Sequence, residues 1–139
     1  MDWNRAHRYK MRVRYADTDQ MGVVYHGRYL EWFEAARTEM LRDAGLPYKE
    51  LEAGGYALPV IEVLCRYQRP VHYDDCVVIH TRLAEVNRLK LKLEYRLFVQ
   101  EDPALRIEAM TVHCFVNPNG QPVRASKTVL EFFNKIING

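Results

Sequence analysis

The fold is decided by one stretch of the chain, GRYLEWFEAARTEMLRDA, which occupies residues 27–44. Apolar side chains recur along it at helical spacing and form one wide stripe. The stripe consists of Tyr29, Trp32, Phe33, Ala36, Met40 and Ala44. Gly45 stands just beyond it, and Pro47 cannot continue a helix. The stretch therefore predicts one long amphipathic helix, which a short helix over residues 48–53 follows.

Segments with strand patterns surround this helix. Before it, residues 9–15 alternate between apolar and basic side chains, as a half-exposed strand does. After it, the pattern predicts four more strands, over residues 57–68, 76–86, 89–99 and 105–116. A last amphipathic helix is predicted over residues 126–137, with Thr128 and Glu131 as its capping box.

The predicted fold class is α+β, in which one long α-helix covers a mainly antiparallel β-sheet. The turns at residues 87–88 and 117–120 are too short for parallel crossovers. The length fits a single domain over residues 1–139. One sheet leaves such a helix partly uncovered, so we expect self-association through a sheet edge or the helix face.

Composition excludes several classes of protein. The formal net charge of +2 is too small to indicate a nucleic-acid partner. No stretch is long and apolar enough to cross a bilayer, and residues 1–14 lack the apolar segment of a secretion signal. We therefore expect a cytoplasmic protein. Cys65, Cys76 and Cys114 include no C-x-x-C pair, so we expect free thiols and no metal site.

Polar residues cluster between the first strand and the long helix, where Asp17, Asp19 and His26 lie. A helix N-terminus offers free N–H groups and a positive dipole end, which polarise a carbonyl oxygen. A carboxylate beside it can act as nucleophile or as general base. An acidic residue before a helix is more often a cap, so the residue types alone leave both interpretations open.

Other chemistries fit this segment less well. The spacing Asp17-x-Asp19-x-x-Gly22 partly imitates a calcium loop, but Met21 and Arg28 occupy two positions that calcium needs for ligands. A G-x-S-x-G elbow and a glycine-rich phosphate loop are both missing from the sequence.

A longer motif is more specific. The run YADTDQMGVVYHGRYLEWFEAAR at residues 15–37 resembles the signature of the hotdog-fold 4-hydroxybenzoyl-CoA thioesterase family. Within that family it is most similar to the Tol-Pal-associated branch of bacterial acyl-CoA thioesterases. The motifs Tyr67-x-Arg69-Pro70 and Tyr73-Asp74-Asp75 fit the same branch. The resemblance implies a hotdog fold and a homo-oligomer, either a dimer or a dimer of dimers (a homotetramer).

The resemblance also implies roles for individual residues. Asp19 corresponds to the catalytic carboxylate, which either attacks the thioester to give a mixed anhydride or deprotonates a water. The backbone N–H of His26 binds the thioester carbonyl, while its imidazole positions water or simply packs. Asp17 orients or caps the loop, and Tyr25 contacts the substrate.

The coenzyme A phosphates require basic side chains, and the resemblance points to Arg88, Lys90 and Arg124. The alternative is that these are ordinary solvated loop charges. Six apolar side chains could line an acyl pocket between subunits or form part of the core. We expect most of them to form core: Tyr29, Trp32, Phe33, Met40, Tyr56 and Leu58.

The expected function is hydrolysis of acyl-CoA to a free carboxylic acid and coenzyme A, without a cofactor or metal. Three alternatives stay open: an acyl-carrier-protein thioesterase, a hotdog dehydratase or hydratase, and a non-catalytic adaptor of the cell-envelope and lipid machinery. The identity of the acyl group does not follow from these residues.

Overall fold

A computed structural model describes residues 2–139 and confirms the predicted α+β class. The strands are β1 (His7–Arg12), β2 (Val60–Tyr67), β3 (Cys76–Val86), β4 (Lys90–Val99) and β5 (Ile107–Cys114). The helices are α1 (Arg28–Asp43), α2 (Tyr48–Ala53) and α3 (Lys127–Asn138). The strands form one antiparallel sheet in the order β1-β3-β4-β5-β2. Within residues 2–139, every helix is too short or too polar to span a bilayer.

Helix α1 buries the predicted stripe against the inner face of the sheet. Five of the six predicted side chains are buried: Tyr29, Trp32, Phe33, Ala36 and Met40. The sixth residue of the stripe, Ala44, is exposed just past the helix end, and Leu41 is buried instead. The ring of Phe33 stacks on Tyr95 of β4 with 4.7 Å between centroids.

Two predicted details differ from the structure. The first strand ends at Arg12 because Tyr15–Asp17 form a 3₁₀ turn that the Asp17 carboxylate closes. Helix α3 is capped by Ser126, whose hydroxyl accepts a hydrogen bond from the Val129 N–H at 3.2 Å. The predicted capping box of Thr128 and Glu131 is therefore wrong.

Edge strand β2 exposes an unusual amount of apolar surface. Its side chains Val60, Ile61, Val63, Leu64 and Tyr67 are 39–50% exposed. A bulge between Val60 and Glu62 changes the register, and Val60 and Val63 then pair with the buried His113 and Thr111. Strand β2 is therefore an apolar edge strand that is exposed to solvent, and open space remains between it and α1.

Candidate active site

The loop between β1 and α1 is fixed by the buried carboxylate of Asp17. The Arg14 backbone N–H donates to this carboxylate at 2.9 Å, and the Arg14 guanidinium donates at 3.0 Å. The Tyr25 N–H donates to the Asp17 carbonyl oxygen at 3.0 Å. These contacts confirm that Asp17 supports the loop.

Two positively charged side chains, Arg14 and Arg28, also stabilise the Asp17 carboxylate. Burial favours its neutral form, but the hydrogen bonds from Arg14 and the attraction of Arg14 and Arg28 outweigh burial and hold the Asp17 pKa below its ordinary value. The Arg28 guanidinium lies 3.9 Å from this carboxylate. Asp17 is therefore a paired anion with no oxygen directed to solvent.

Asp19 has the opposite surroundings, at the exposed tip of the same loop. Its Oδ1 accepts hydrogen bonds from the Met21 N–H at 2.8 Å and the Val23 N–H at 3.4 Å. Gly22 completes the turn with a φ of 76°, a backbone conformation that favours glycine. The other carboxylate oxygen of Asp19, Oδ2, has no hydrogen-bond partner within residues 2–139. The backbone therefore holds one oxygen of the Asp19 carboxylate and leaves the other unbonded.

Two free donors stand at the start of α1. In the described part of the chain, the N–H groups of His26 and Gly27 have no acceptor. The Tyr25 ring lies over Gly27, where an added Cβ would come within 2.9 Å of a ring carbon. The 16-residue helix places the positive end of its dipole at the same point. This arrangement suits an oxygen that gains negative charge.

A cavity of about 250 Å³, the His26 cavity, opens beside these donors between α1 and β2. His26, Tyr29 and Tyr67 are among its lining residues, and the Tyr67 hydroxyl donates to the His26 carbonyl oxygen at 3.4 Å. Burial, together with a contact to Cys65, raises the Tyr67 pKa to about 12, so its phenol remains a donor. Tyr67 was missed as a site residue, although its place on the inner face of β2 is a readable signal. Asp19 and Tyr25 lie on the same loop but outside this cavity.

Arg88, Lys90 and Arg124 form a second group, here called the basic corner. The Ala125 N–H donates to the Arg88 carbonyl at 2.7 Å, which joins the β3–β4 turn to the segment that carries Arg124. All three side chains are exposed, and none has a carboxylate within 4.0 Å among residues 2–139. The two segments that carry these three residues are therefore neighbours in the fold.

The basic corner and the His26 cavity lie at opposite ends of the sheet. Lys90 pairs with Cys114 at one end of β5, whereas Leu97 and Tyr67 both pair with Ile107 at the other. Seven residues of strand separate these rows, or about 23 Å at 3.3 Å per residue. One chain alone does not bring all the predicted site residues together.

A chain of hydrogen-bonded polar groups, all of them buried except Arg37, crosses the space beneath the middle of α1. The Arg37 guanidinium donates to the Tyr95 hydroxyl at 3.5 Å, Tyr95 bonds Thr111 at 2.8 Å, and Thr111 bonds His113 Nε2 at 2.8 Å. His113 Nδ1 lies 2.9 Å from the Leu58 carbonyl, which can only accept, so Nδ1 carries the proton. Sequence reasoning missed this chain because its members lie on α1, β4 and β5 and come together only in the folded protein.

Comparison with known proteins identifies the family. The sequence pattern of the thioesterase-like superfamily matches residues 13–133. The chain belongs to this superfamily. YneP of Bacillus subtilis is 36% identical over 121 residues, which are 85% of this chain and 86% of that protein. The acyl-CoA thioesterase YbgC of Haemophilus influenzae is 33% identical over 92% of this chain and 94% of its own.

A solved structure from Thermus thermophilus matches this thioesterase with a TM-score of 0.88 at 34% identity. The match covers 94% of this chain and 98% of that one. The hotdog fold and the enzyme class, thioester hydrolase, that the motif at residues 15–37 implied are confirmed.

Proposed function

We propose that this thioesterase hydrolyses acyl-CoA to a free carboxylic acid and coenzyme A. One observation carries the proposal: the free N–H pair of His26 and Gly27 heads α1 on the loop that exposes the free oxygen of Asp19. The likeness to YbgC supports coenzyme A as the thiol carrier. Because residues 15–37 resemble the signature of the Tol-Pal-associated acyl-CoA thioesterases, the proposal includes membership of that branch.

The reaction follows from these positions. The thioester carbonyl oxygen accepts from the His26 and Gly27 N–H groups, which stabilise the negative charge that develops on attack. Asp19 Oδ2 either attacks the carbonyl carbon, forming a mixed anhydride that water then hydrolyses, or removes a proton from the attacking water. The carbon–sulfur bond breaks and coenzyme A leaves as a thiolate. The His26 imidazole positions the water, and Tyr25 contacts the acyl-CoA.

The exposed edge of β2 supports a dimer. A long apolar edge strand with free backbone groups pairs readily with another copy of itself. Antiparallel pairing of two β2 strands about a twofold axis near Val63 and Leu64 places Val60 of one copy beside Tyr67 of the other. A tetramer, as a dimer of such dimers, remains part of the proposal.

This dimer joins the two halves of the site. Because β4 lies two strands in from β2, the partner's basic corner comes within about three strand spacings of Tyr67, or roughly 14 Å. The same corner of its own chain is about 23 Å away along the strands. We therefore propose that Asp19 and His26 act on a coenzyme A whose phosphates bind Arg88, Lys90 and Arg124 of the second copy.

The test is a panel of matched thioesters, with each acyl group attached either to coenzyme A or to acyl carrier protein. Release of free thiol is followed with the wild-type protein and with Asp19→Asn. We expect Asp19-dependent release from coenzyme A, with kcat/KM at least about tenfold above that for the carrier protein, because only coenzyme A presents the adenosine 3′-phosphate and pyrophosphate to the basic corner.

Each other result is decisive. Preference for the carrier protein would replace coenzyme A by a protein-bound substrate. Hydration of an enoyl-CoA without thiol release would indicate a hydratase. No reaction with any thioester would indicate a non-catalytic adaptor.

A further inference from the structure

We propose that the acyl group is a fatty chain, which leaves the His26 cavity, follows α1 and ends in a second, deeper cavity under the C-terminal half of that helix. The inference rests on the proposed function and names the substrate class of the same site.

The deeper cavity has a volume of about 380 Å³, within the range of small-molecule pockets. It lies where α1 meets the start of β2, β4 and α3. Its wall is mostly apolar and includes Met40, Leu41, Leu58, Leu83, Leu91 and Phe133. All six side chains belong to the buried core, so the cavity reaches from its exposed rim into the interior of the protein.

The polar groups inside this cavity already have partners. The Tyr48 hydroxyl accepts from the Leu58 N–H at 3.1 Å. His113 bonds the Leu58 carbonyl through Nδ1 and Thr111 through Nε2. Since burial lowers the His113 pKa to about 4, the ring is uncharged near neutral pH. The other polar lining residues, Glu34, Arg37 and Thr38, are partly or fully exposed and form the rim. A mostly apolar wall whose polar side chains already bond to the protein favours an apolar occupant.

A middle cavity adjoins the deeper cavity and lies between it and the His26 cavity along α1 and β2. It measures about 270 Å³, includes Leu30 and Phe33, and shares Glu34, Arg37 and Val60 with the deeper cavity. Leu30 follows Tyr29 of the His26 cavity on the same helix. On β2, Tyr67, Val63 and Val60 line the three cavities in turn. The cavities therefore follow one groove between α1 and β2.

The length of the groove selects the chain. From His26, α1 advances about 12 Å to Glu34 and about 22 Å to Leu41 at 1.5 Å per residue. An extended chain advances about 1.2 Å per bond. An acyl chain of about 10 carbons therefore reaches the rim of the deeper cavity, and one of about 18 carbons reaches its end.

The test measures kcat/KM for saturated acyl-CoAs of about 4 to 18 carbons, below their micelle concentrations, with wild type and Thr38→Phe. Thr38 is partly exposed at the rim, so a ring there can enter the cavity without removing core atoms. In the wild type, kcat/KM should rise up to about fourfold per added methylene until it levels off. Thr38→Phe should lower it at least about tenfold for 16 carbons and leave 4 carbons unchanged.

The matched control is Glu39→Phe, which adds the same ring one residue away on a position that lines none of the three cavities. It should keep the wild-type profile. If Thr38→Phe fails to fold, as judged by circular dichroism, Thr38→Met should produce a smaller loss in the same direction.

Two outcomes overturn the inference alone: hydrolysis of the 4-carbon substrate with no gain for longer chains, or a Thr38→Phe profile that matches Glu39→Phe. Absence of thiol release from every acyl-CoA would instead contradict the proposed function, and the inference with it.

Discussion

The two ends of helix α1 treat polar groups in opposite ways. At the N-terminal end, the Asp19 Oδ2 and the N–H groups of His26 and Gly27 have no partner within residues 2–139. Beneath the middle and C-terminal part, Tyr95, Thr111 and His113 are buried and bonded to one another. Groups that bind a reacting atom must keep bonding capacity, whereas groups that form the wall of an apolar space must already be satisfied.

The largest effect is expected when each of the two aspartates of the loop is replaced separately by asparagine. Asp19→Asn should lower kcat by about 1,000-fold or more, because an amide is neither nucleophile nor base. The amide oxygen still accepts from the Met21 N–H, so the free energy of unfolding should stay within about 1 kcal/mol of wild type.

Asp17→Asn is the matched control, two residues away. It should lower the free energy of unfolding by about 1–3 kcal/mol, since a buried, charge-assisted contact with Arg14 is lost. Its kcat should fall far less than that of Asp19→Asn. Steady-state kinetics measure kcat and urea unfolding measures the free energy of unfolding for both variants. A larger loss of kcat in Asp17→Asn would mean that Asp17, and not Asp19, is the reacting carboxylate.

A second prediction concerns the far end of the sheet. Changing Arg88, Lys90 and Arg124 together to Glu should raise KM for acyl-CoA about 100-fold and change kcat little, because the phosphates are remote from the carbon–sulfur bond. The control reverses three other exposed charges, Arg8, Lys10 and Lys49. Equal increases in KM for both triple variants would mean that net charge alone attracts the substrate.

A third prediction concerns the buried His113 beneath helix α1 and the pH dependence of the protein's stability. Burial lowers the His113 pKa to about 4, its bond to the Leu58 carbonyl opposes this, and the nearby Arg37 charge lowers the pKa further. Between about pH 6.5 and 4 the unfolded chain binds a proton that the folded chain does not, so stability falls as the pH falls. His113 should contribute a loss of about 2–3 kcal/mol between pH 7.5 and 4.5.

Urea unfolding at the two pH values measures this loss. His113→Gln can still bond Leu58 and Thr111 but does not titrate, so its stability should depend less on pH by that amount. His72→Gln makes the same substitution at an exposed position and serves as the matched control. An unchanged dependence in His113→Gln would show that His113 is not the titrating group.

Local patterns explain how far the sequence predicted the fold. Strand β3 has the predicted bounds, Cys76–Val86, because alternation and flanking turns are both local. Residues 13–15 were assigned to a strand, since alternation alone does not show that Asp17 bonds back to Arg14. The site loop could be predicted because its parts are contiguous in sequence. The chain from Arg37 to His113 could not, because it joins α1, β4 and β5 only after folding.

The proposed sharing of each site between two copies can be tested by mixing two variants that are each impaired on their own at acyl-CoA concentrations below the wild-type KM. Asp19→Asn is unfolded and refolded together with the basic-corner triple variant, and thiol release from acyl-CoA is compared with each variant refolded alone. In a mixed dimer, one site combines an intact Asp19 with the partner's intact basic corner. We predict recovery of about one quarter of wild-type activity, since about half of the dimers are mixed and each holds one intact site. No recovery, with mixed dimers present by mass, would contradict the shared site.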